Sequence, residues 1–241
     1  LPPKDISIDL EKEIKERKGI LPPIERYAAL ARRFTEWSYA KKLVQNELDS
    51  QDIFVKDGSL QTSFEDEIFL AQDLYDTAIE KNVYITGLSK SCRLFTSKGD
   101  SVISLISYLG NKKFPKNEWY YHPIYRITKA DNQSDLYFVK LNKETSHPFR
   151  FDIYIKQSDN LDKKERENII SNLAFHSNDL SFPGYPYGLI KVDQMARIAN
   201  KELDSQKIMM ISEFNQEIYN KFIKPRLNSV NAHDVINQIR R

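Results

Sequence analysis

Three carboxylates stand where chemistry is possible. Asp57 closes the apolar run Ile53-Phe54-Val55-Lys56 and is followed by Gly58-Ser59. Glycine lets the backbone turn sharply away, so a carboxylate at a strand end stays open to a ligand. Hard divalent cations such as Mg2+ and Mn2+ take oxygen donors of this kind. Taken by itself, Asp-Gly-Ser reads first as an ordinary turn. Glu36 lies between Thr35 and Trp37, behind Arg32-Arg33, and is either a surface residue or an inward ligand on a packed helix. Asp193 and Arg197 are four apart, the spacing of a surface pair on a helix, in a segment that follows Gly184-Tyr185-Pro186-Tyr187. Two tyrosines around a proline make a rigid corner whose rings stack on bases or fill a core.

Cations gather nearby in the chain. Lys90 and Arg93 follow the apolar run Val83–Ile85, and Lys98, Lys112, Lys113 and Lys116 come after them. Lysines at strand ends suit phosphate contacts, whereas scattered ones serve solvation. Other chemistries lack their residues. The four histidines have no metal-ligand spacing, and a single cysteine, Cys92, excludes an intramolecular disulfide and a cysteine zinc cluster. No phosphate-binding glycine loop or serine-nucleophile elbow is present.

The elements that must position these groups follow from periodicity. Helical spacing begins at Ile24, places Tyr27, Ala28, Ala31, Phe34 and Ser38 on one face with Trp37 and Leu43 beside them, and runs to about Asn46. A short strand over 52–56 ends at the Asp57 turn. A helix over 64–79 should bury Ile68, Leu70, Ala71, Leu74, Tyr75 and Ala78, and a second strand covers 83–87. Strand, helix and strand in alternation favour a parallel or mixed sheet with a right-handed crossover. Residues 119–127, 136–141 and 149–155 read as an antiparallel meander. Helices follow over 163–173 and 189–203, then a short apolar run at 208–211, and a helical tail interrupted at Pro225. Residues 1–23, bounded by two Pro-Pro pairs, read as a lead-in arm, and 24–241 as one domain.

Composition bounds the partners. Of 241 residues, 40% are hydrophobic and 29% charged, the balance of a folded soluble protein. A formal charge of +2 means that any nucleic-acid surface is a local patch. No run approaches the roughly 20 apolar residues that span a bilayer, and no secretory leader is visible. A cytoplasmic protein without membrane contact is the expectation. The chain opens on Leu1, which suggests a fragment or processed chain.

The order of these features is more specific than any one of them. A helix with Arg33 and Glu36 leads to a strand ending in Asp57-Gly58-Ser59-Leu60. Then come Tyr84-Ile85-Thr86-Gly87-Leu88-Ser89-Lys90-Ser91-Cys92-Arg93-Leu94 and, much later, Gly184-Tyr185-Pro186-Tyr187-Gly188-Leu189-Ile190-Lys191-Val192-Asp193. This series resembles the NurA nuclease family over residues 30 to 200, with Asn231-Ala232-His233-Asp234 adding a weaker similarity. The resemblance implies an RNase H-like α/β fold: a mixed β-sheet flanked by helices, with an additional antiparallel strand region and C-terminal helices.

It also implies Mn2+- or Mg2+-dependent DNA cleavage, processing of DNA ends with a HerA-type hexameric ATPase, and a homodimer. Glu36, Asp57 and Asp193 match the family's metal-ligand positions, and with Tyr185 they form its catalytic set. Arg33, Lys90, Arg93 and Tyr187 would face nucleic acid. Two cations held by carboxylates would activate a water and stabilise the leaving oxygen in phosphodiester hydrolysis. Where the family carries histidine or aspartate, this chain has Asp193, which leaves a proton-transfer role open. The family's first aspartate, in an earlier Asp-Gly-Ser strand, has no counterpart between Leu1 and Ile24, where Asp5 and Asp9 flank only Ile6-Ser7-Ile8. That departure keeps a second expectation alive: a catalytically inactive NurA-like subunit that binds DNA or the ATPase as an assembly module.

Overall fold

The computed structural model describes residues 26–197 and 200–213, with 217 and 219–225. The arm over 1–23, including Asp5 and Asp9, and the segment Asn231–Asp234 lie outside the described residues. The chain divides into two compact units, Leu1–Leu189 and Ile190–Arg241.

The first unit is built on one five-stranded mixed sheet. Helix α1 (Tyr27–Asn46) leads to β1 (Ile53–Asp57), helix α2 (Ile68–Lys81) and β2 (Tyr84–Ser89). Helix α3 (Val102–Lys113) then precedes β3 (Trp119–Lys129), β4 (Asn132–Lys140) and β5 (Phe149–Tyr154). The strand order is β1-β2-β5-β4-β3. β1 and β2 are parallel, as the strand–helix–strand alternation predicts, and the meander pairs antiparallel. The meander is the expected antiparallel strand region, and β5 hydrogen-bonds to β2 to join it to the parallel pair in one sheet.

Helices cover the sheet according to residue alternation. On one face α1 and α2 bury Trp37, Val44, Leu74, Tyr75 and Ala78 against Ile85 and Tyr154. Fully burying a side chain such as Leu74 contributes about 1.5–3 kcal/mol. The buried stripe of α1 is Leu30, Phe34, Trp37, Ala40 and Val44. Phe34 and Trp37 are where the sequence places them, but Ala28 is exposed and Leu30 takes the core position. Both sets satisfy helical spacing, and packing against Phe64 and Phe69 selects the second. α2 ends on Asn82 in the left-handed conformation, φ 55°, a backbone region asparagine tolerates.

Short helix α4 (Ile155–Ser158) and helix α5 (Lys163–Phe175) follow β5. α5 starts in a capping box, in which Asp162 accepts from the Glu165 amide at 2.7 Å and Glu165 accepts from the Asp162 amide at 2.9 Å. Helix α3 has no counterpart among the expected elements; Val102, Ile103, Ile106 and Leu109 recur at helical spacing along it, yet only Ile103 is buried. Helix α6 (Tyr187–Ala196) ends the first unit at Leu189 and continues into the second. The second unit also holds α7 (Asn200–Glu213), where Ile208–Ile211 is helical. No helix among the described residues is long and apolar enough to cross a membrane.

Gly87 is fixed by close approach. A Cβ built there would lie 2.6 Å from the Gly58 carbonyl oxygen and 3.3 Å from the Leu60 nitrogen. The 58–60 backbone therefore passes directly over β2. Gly87→Ala is expected to force this turn away and destabilise the fold by about 1–3 kcal/mol, the usual range for overpacking. Urea unfolding measures this, and an unchanged midpoint would refute the close approach.

Candidate active site

Asp57 ends β1 beside Leu88 of β2, at the carboxyl ends of two parallel strands, where α/β sheets commonly bind ligands. The Gly58 amide donates to the Leu88 carbonyl at 2.9 Å, and Gly58 has a φ of 111°, a value that favours glycine. The Leu60 amide then donates to Asp152 at 3.2 Å. Asp152, directly across β5 from Gly87, is fully buried and receives two Arg150 donors at 2.7 and 2.8 Å. Burial pushes its carboxyl pKa up, against Arg150, which draws it down. This buried pair anchors the turn that presents Asp57.

Two side chains converge on the Asp57 carboxylate. The Tyr185 hydroxyl donates to Oδ1 at 2.8 Å. Lys90 Nζ stands 3.5 Å from Oδ2 and 4.9 Å from the centre of the Tyr185 ring. The ring is buried and meets Phe149 edge-on at 5.2 Å. Its loop is tied to the end of α5, for the Gly184 amide donates to Ser177 and the Tyr187 amide to His176, at 2.8 and 2.9 Å. The structure thus joins Asp57, Lys90 and Tyr185, three residues up to 128 positions apart in the chain.

Alternation along β1 sends Lys56 to the opposite face from Asp57. Lys56 Nζ lies 5.3 Å from the centre of the Trp37 ring and 3.6 Å from where a Cβ on Gly58 would stand. Burial lowers its pKa and Arg33 adds to this, while Glu36, Glu67 and Asp57 oppose it. Glu36 and Asp57 therefore act on one ammonium. Glu36 itself is held by Arg32 at 2.6 Å and Arg33 at 3.3 Å.

Arg33 has a small exposed fraction, 12% of its side chain, and grips the fully buried Glu67 at 2.9 Å. The same Nη2 also donates to the Gln61 carbonyl at 3.3 Å, so Arg33 ties α1 to the loop that follows Asp57. Glu67 also accepts from the Trp37 indole at 2.9 Å and the Ser63 amide at 3.3 Å. Arg93 is exposed after β2, and Tyr187 is partly exposed at the start of α6. Asp193 lies in the second unit, held by Arg197 at 2.7 Å.

Lys56, Glu67, Arg150 and Asp152 were not singled out from sequence. Asp152 had a readable signal, a lone carboxylate inside the strand run Phe151-Asp152-Ile153-Tyr154. Glu67 had none, since its acidic neighbours Glu65 and Asp66 look the same in the chain.

The donor set bears on the expected metal. Among the described residues no group of three or more His, Cys, Asp or Glu comes together to hold an ion. Asp57, with 40% of its side chain exposed, fits as one oxygen ligand of an ion shared with a substrate phosphate, since Mg2+ is commonly bound by one or two carboxylates plus phosphate. The set does not form a resident cage.

Comparison with known proteins bears on the family. The NurA domain pattern matches residues 4–198. Among solved structures, the fold is similar to the crystal structure of the NurA nuclease from Sulfolobus solfataricus, with a TM-score of 0.56 and 16% identity over 85% of this chain and 72% of that one. No curated protein matches in sequence.

Proposed function

The chain belongs to the NurA nuclease family, and from that premise we propose that it hydrolyses DNA phosphodiester bonds at the Asp57–Lys90–Tyr185 cluster. The convergence of Lys90 and the Tyr185 hydroxyl on a half-exposed carboxylate at the strand ends carries this reading. Tyr185 fixes the Asp57 rotamer through Oδ1. Lys90 neutralises part of the carboxylate charge and offers an ammonium to an incoming phosphate, with Arg93 exposed in the same turn. Tyr187 supplies an accessible ring against which a base can stack.

Mn2+ or Mg2+ is proposed as the cofactor, with Asp57 as a ligand and Glu36 and Asp193 as further ligand positions suggested by the family pattern. Such an ion would polarise the phosphate and lower the pKa of a bound water. Glu36 would have to leave Arg32 and Arg33 to serve, and Asp193 would have to leave Arg197. DNA-end processing with a HerA-type hexameric ATPase, and a homodimer, belong to the same proposal. The exposed Val192, Met195, Ile208 and Met209 of the second unit support a partner surface.

The test is degradation of end-labelled linear DNA. Cleavage is expected with Mn2+ or Mg2+ and none after addition of EDTA; cleavage that EDTA leaves unchanged would overturn the metal requirement. A second reading, an inactive NurA-like subunit serving as an assembly module, is favoured by the arginine partners of Glu36 and Asp193. Binding of DNA or ATPase with no cleavage under either metal would establish it.

A further inference from the structure

Lys56 is the residue the cluster leaves unused. Its ammonium lies over the Trp37 ring, 5.3 Å from the centroid, and beside Gly58. Among the described residues no acceptor lies within hydrogen-bonding distance of Nζ. A half-buried ammonium with no acceptor is costly, because burial removes water without replacing its hydrogen bonds. The neighbouring carboxylates are already engaged: Glu67 by Arg33 and Trp37, Glu36 by Arg32 and Arg33, and Asp57 by Lys90 and Tyr185.

The surroundings of Lys56 form a polar cavity of about 540 Å3. Arg33, Gln61, Thr62 and Ser63 line it beside the Asp57–Ser59 turn. Asp131 stands at its edge, where its carbonyl accepts from the Thr62 amide at 2.9 Å and from the Thr62 hydroxyl at 3.2 Å. Gly58 carries no side chain to cover the ammonium, and Arg33 on the cavity wall is balanced by Glu67 and Glu36, which leaves Lys56 as the cation that faces the cavity. The Lys56 ammonium offers the kind of donor that a phosphate oxygen takes.

We infer that this cavity is a phosphate subsite, in which Lys56 contacts a DNA backbone phosphate next to the one facing Asp57. A strand crossing the turn would meet Lys90 on one side of Gly58 and Lys56 on the other. The inference rests on the nuclease reading, but it concerns binding, which can be measured without cleavage.

The experiment is fluorescence anisotropy of labelled single-stranded and duplex oligonucleotides in EDTA, across a salt series, with the full chain. Lys56→Gln should weaken binding roughly fivefold irrespective of base sequence. Its plot of log affinity against log salt should be shallower by about 0.7–0.9, the value for one lost phosphate contact. Lys56→Arg should keep the wild-type slope, and Lys41→Gln, which alters an exposed pair with Asp73, should do the same.

A parallel measurement needs no variant. Acylation of Lys56 in the wild-type chain, followed by mass spectrometry, should slow when oligonucleotide is bound. An unchanged salt slope in a folded Lys56→Gln chain, or an unchanged acylation rate at saturating oligonucleotide, overturns the subsite while leaving the nuclease reading standing. A wild-type chain that neither binds nor cleaves DNA overturns both.

Discussion

Asp57→Asn should abolish cleavage while leaving the fold and DNA binding in place. The carboxylate is 40% exposed and pairs with Lys90 at 3.5 Å, so the lost ion pair costs at most about 1 kcal/mol. Asparagine still offers an oxygen to the Tyr185 hydroxyl, which keeps the loop at Gly184–Tyr187 docked. What disappears is the negative charge on which cation binding and phosphate chemistry depend. The loss of rate should be on the order of 100-fold or more, the scale of removing one group that acts on the transition state. Binding in EDTA should stay constant or tighten, because a charge that repels phosphate is gone and Lys90 is released toward it. Cleavage assays, thermal melting and anisotropy on one preparation separate these effects. Full activity in a folded Asp57→Asn chain would remove Asp57 from the mechanism.

Glu67→Ala is expected to have the largest effect on stability. Glu67 is fully buried and receives Arg33, the Trp37 indole and the Ser63 amide. Truncation leaves a largely buried guanidinium without its carboxylate, at about 3–5 kcal/mol. That is a large share of a typical domain's 5–15 kcal/mol. Glu67→Gln should fall between, since the amide oxygen still accepts from Trp37 but the charge is lost. Urea denaturation midpoints check both variants. A Glu67→Ala loss below about 1 kcal/mol would show that Arg33 finds an equivalent partner, such as Glu36, by a small rotation.

These two carboxylates mark the boundary between local and tertiary information. Asp57 was legible because its signal is local: an apolar strand, a glycine and the order of neighbouring motifs. The strand–helix–strand unit, the meander and α5 were legible for the same reason, since side-chain period reports burial within one element. Helix α3 was missed although Val102, Ile103, Ile106 and Leu109 recur along it at helical spacing. The two stripes of α1, which share Phe34, show the limit of periodicity, which gives a spacing but leaves open which stripe finds a partner.

From local pattern the sequence determined an α/β chain with a strand-end carboxylate, and the order of its motifs carried the resemblance to the family. Tertiary structure decided that Lys90 and Tyr185 meet on Asp57, that Arg33 joins Glu36 to the buried Glu67, and that Lys56 lies over Trp37. The physical reason is that hydrogen bonds and ion pairs join residues distant in the chain, and partner choice depends on distance and burial after folding. Gly87 shows both levels at once: its place in a motif is visible in sequence, whereas the 2.6 Å approach of the Gly58 carbonyl that requires it exists only when β1 and β2 lie side by side.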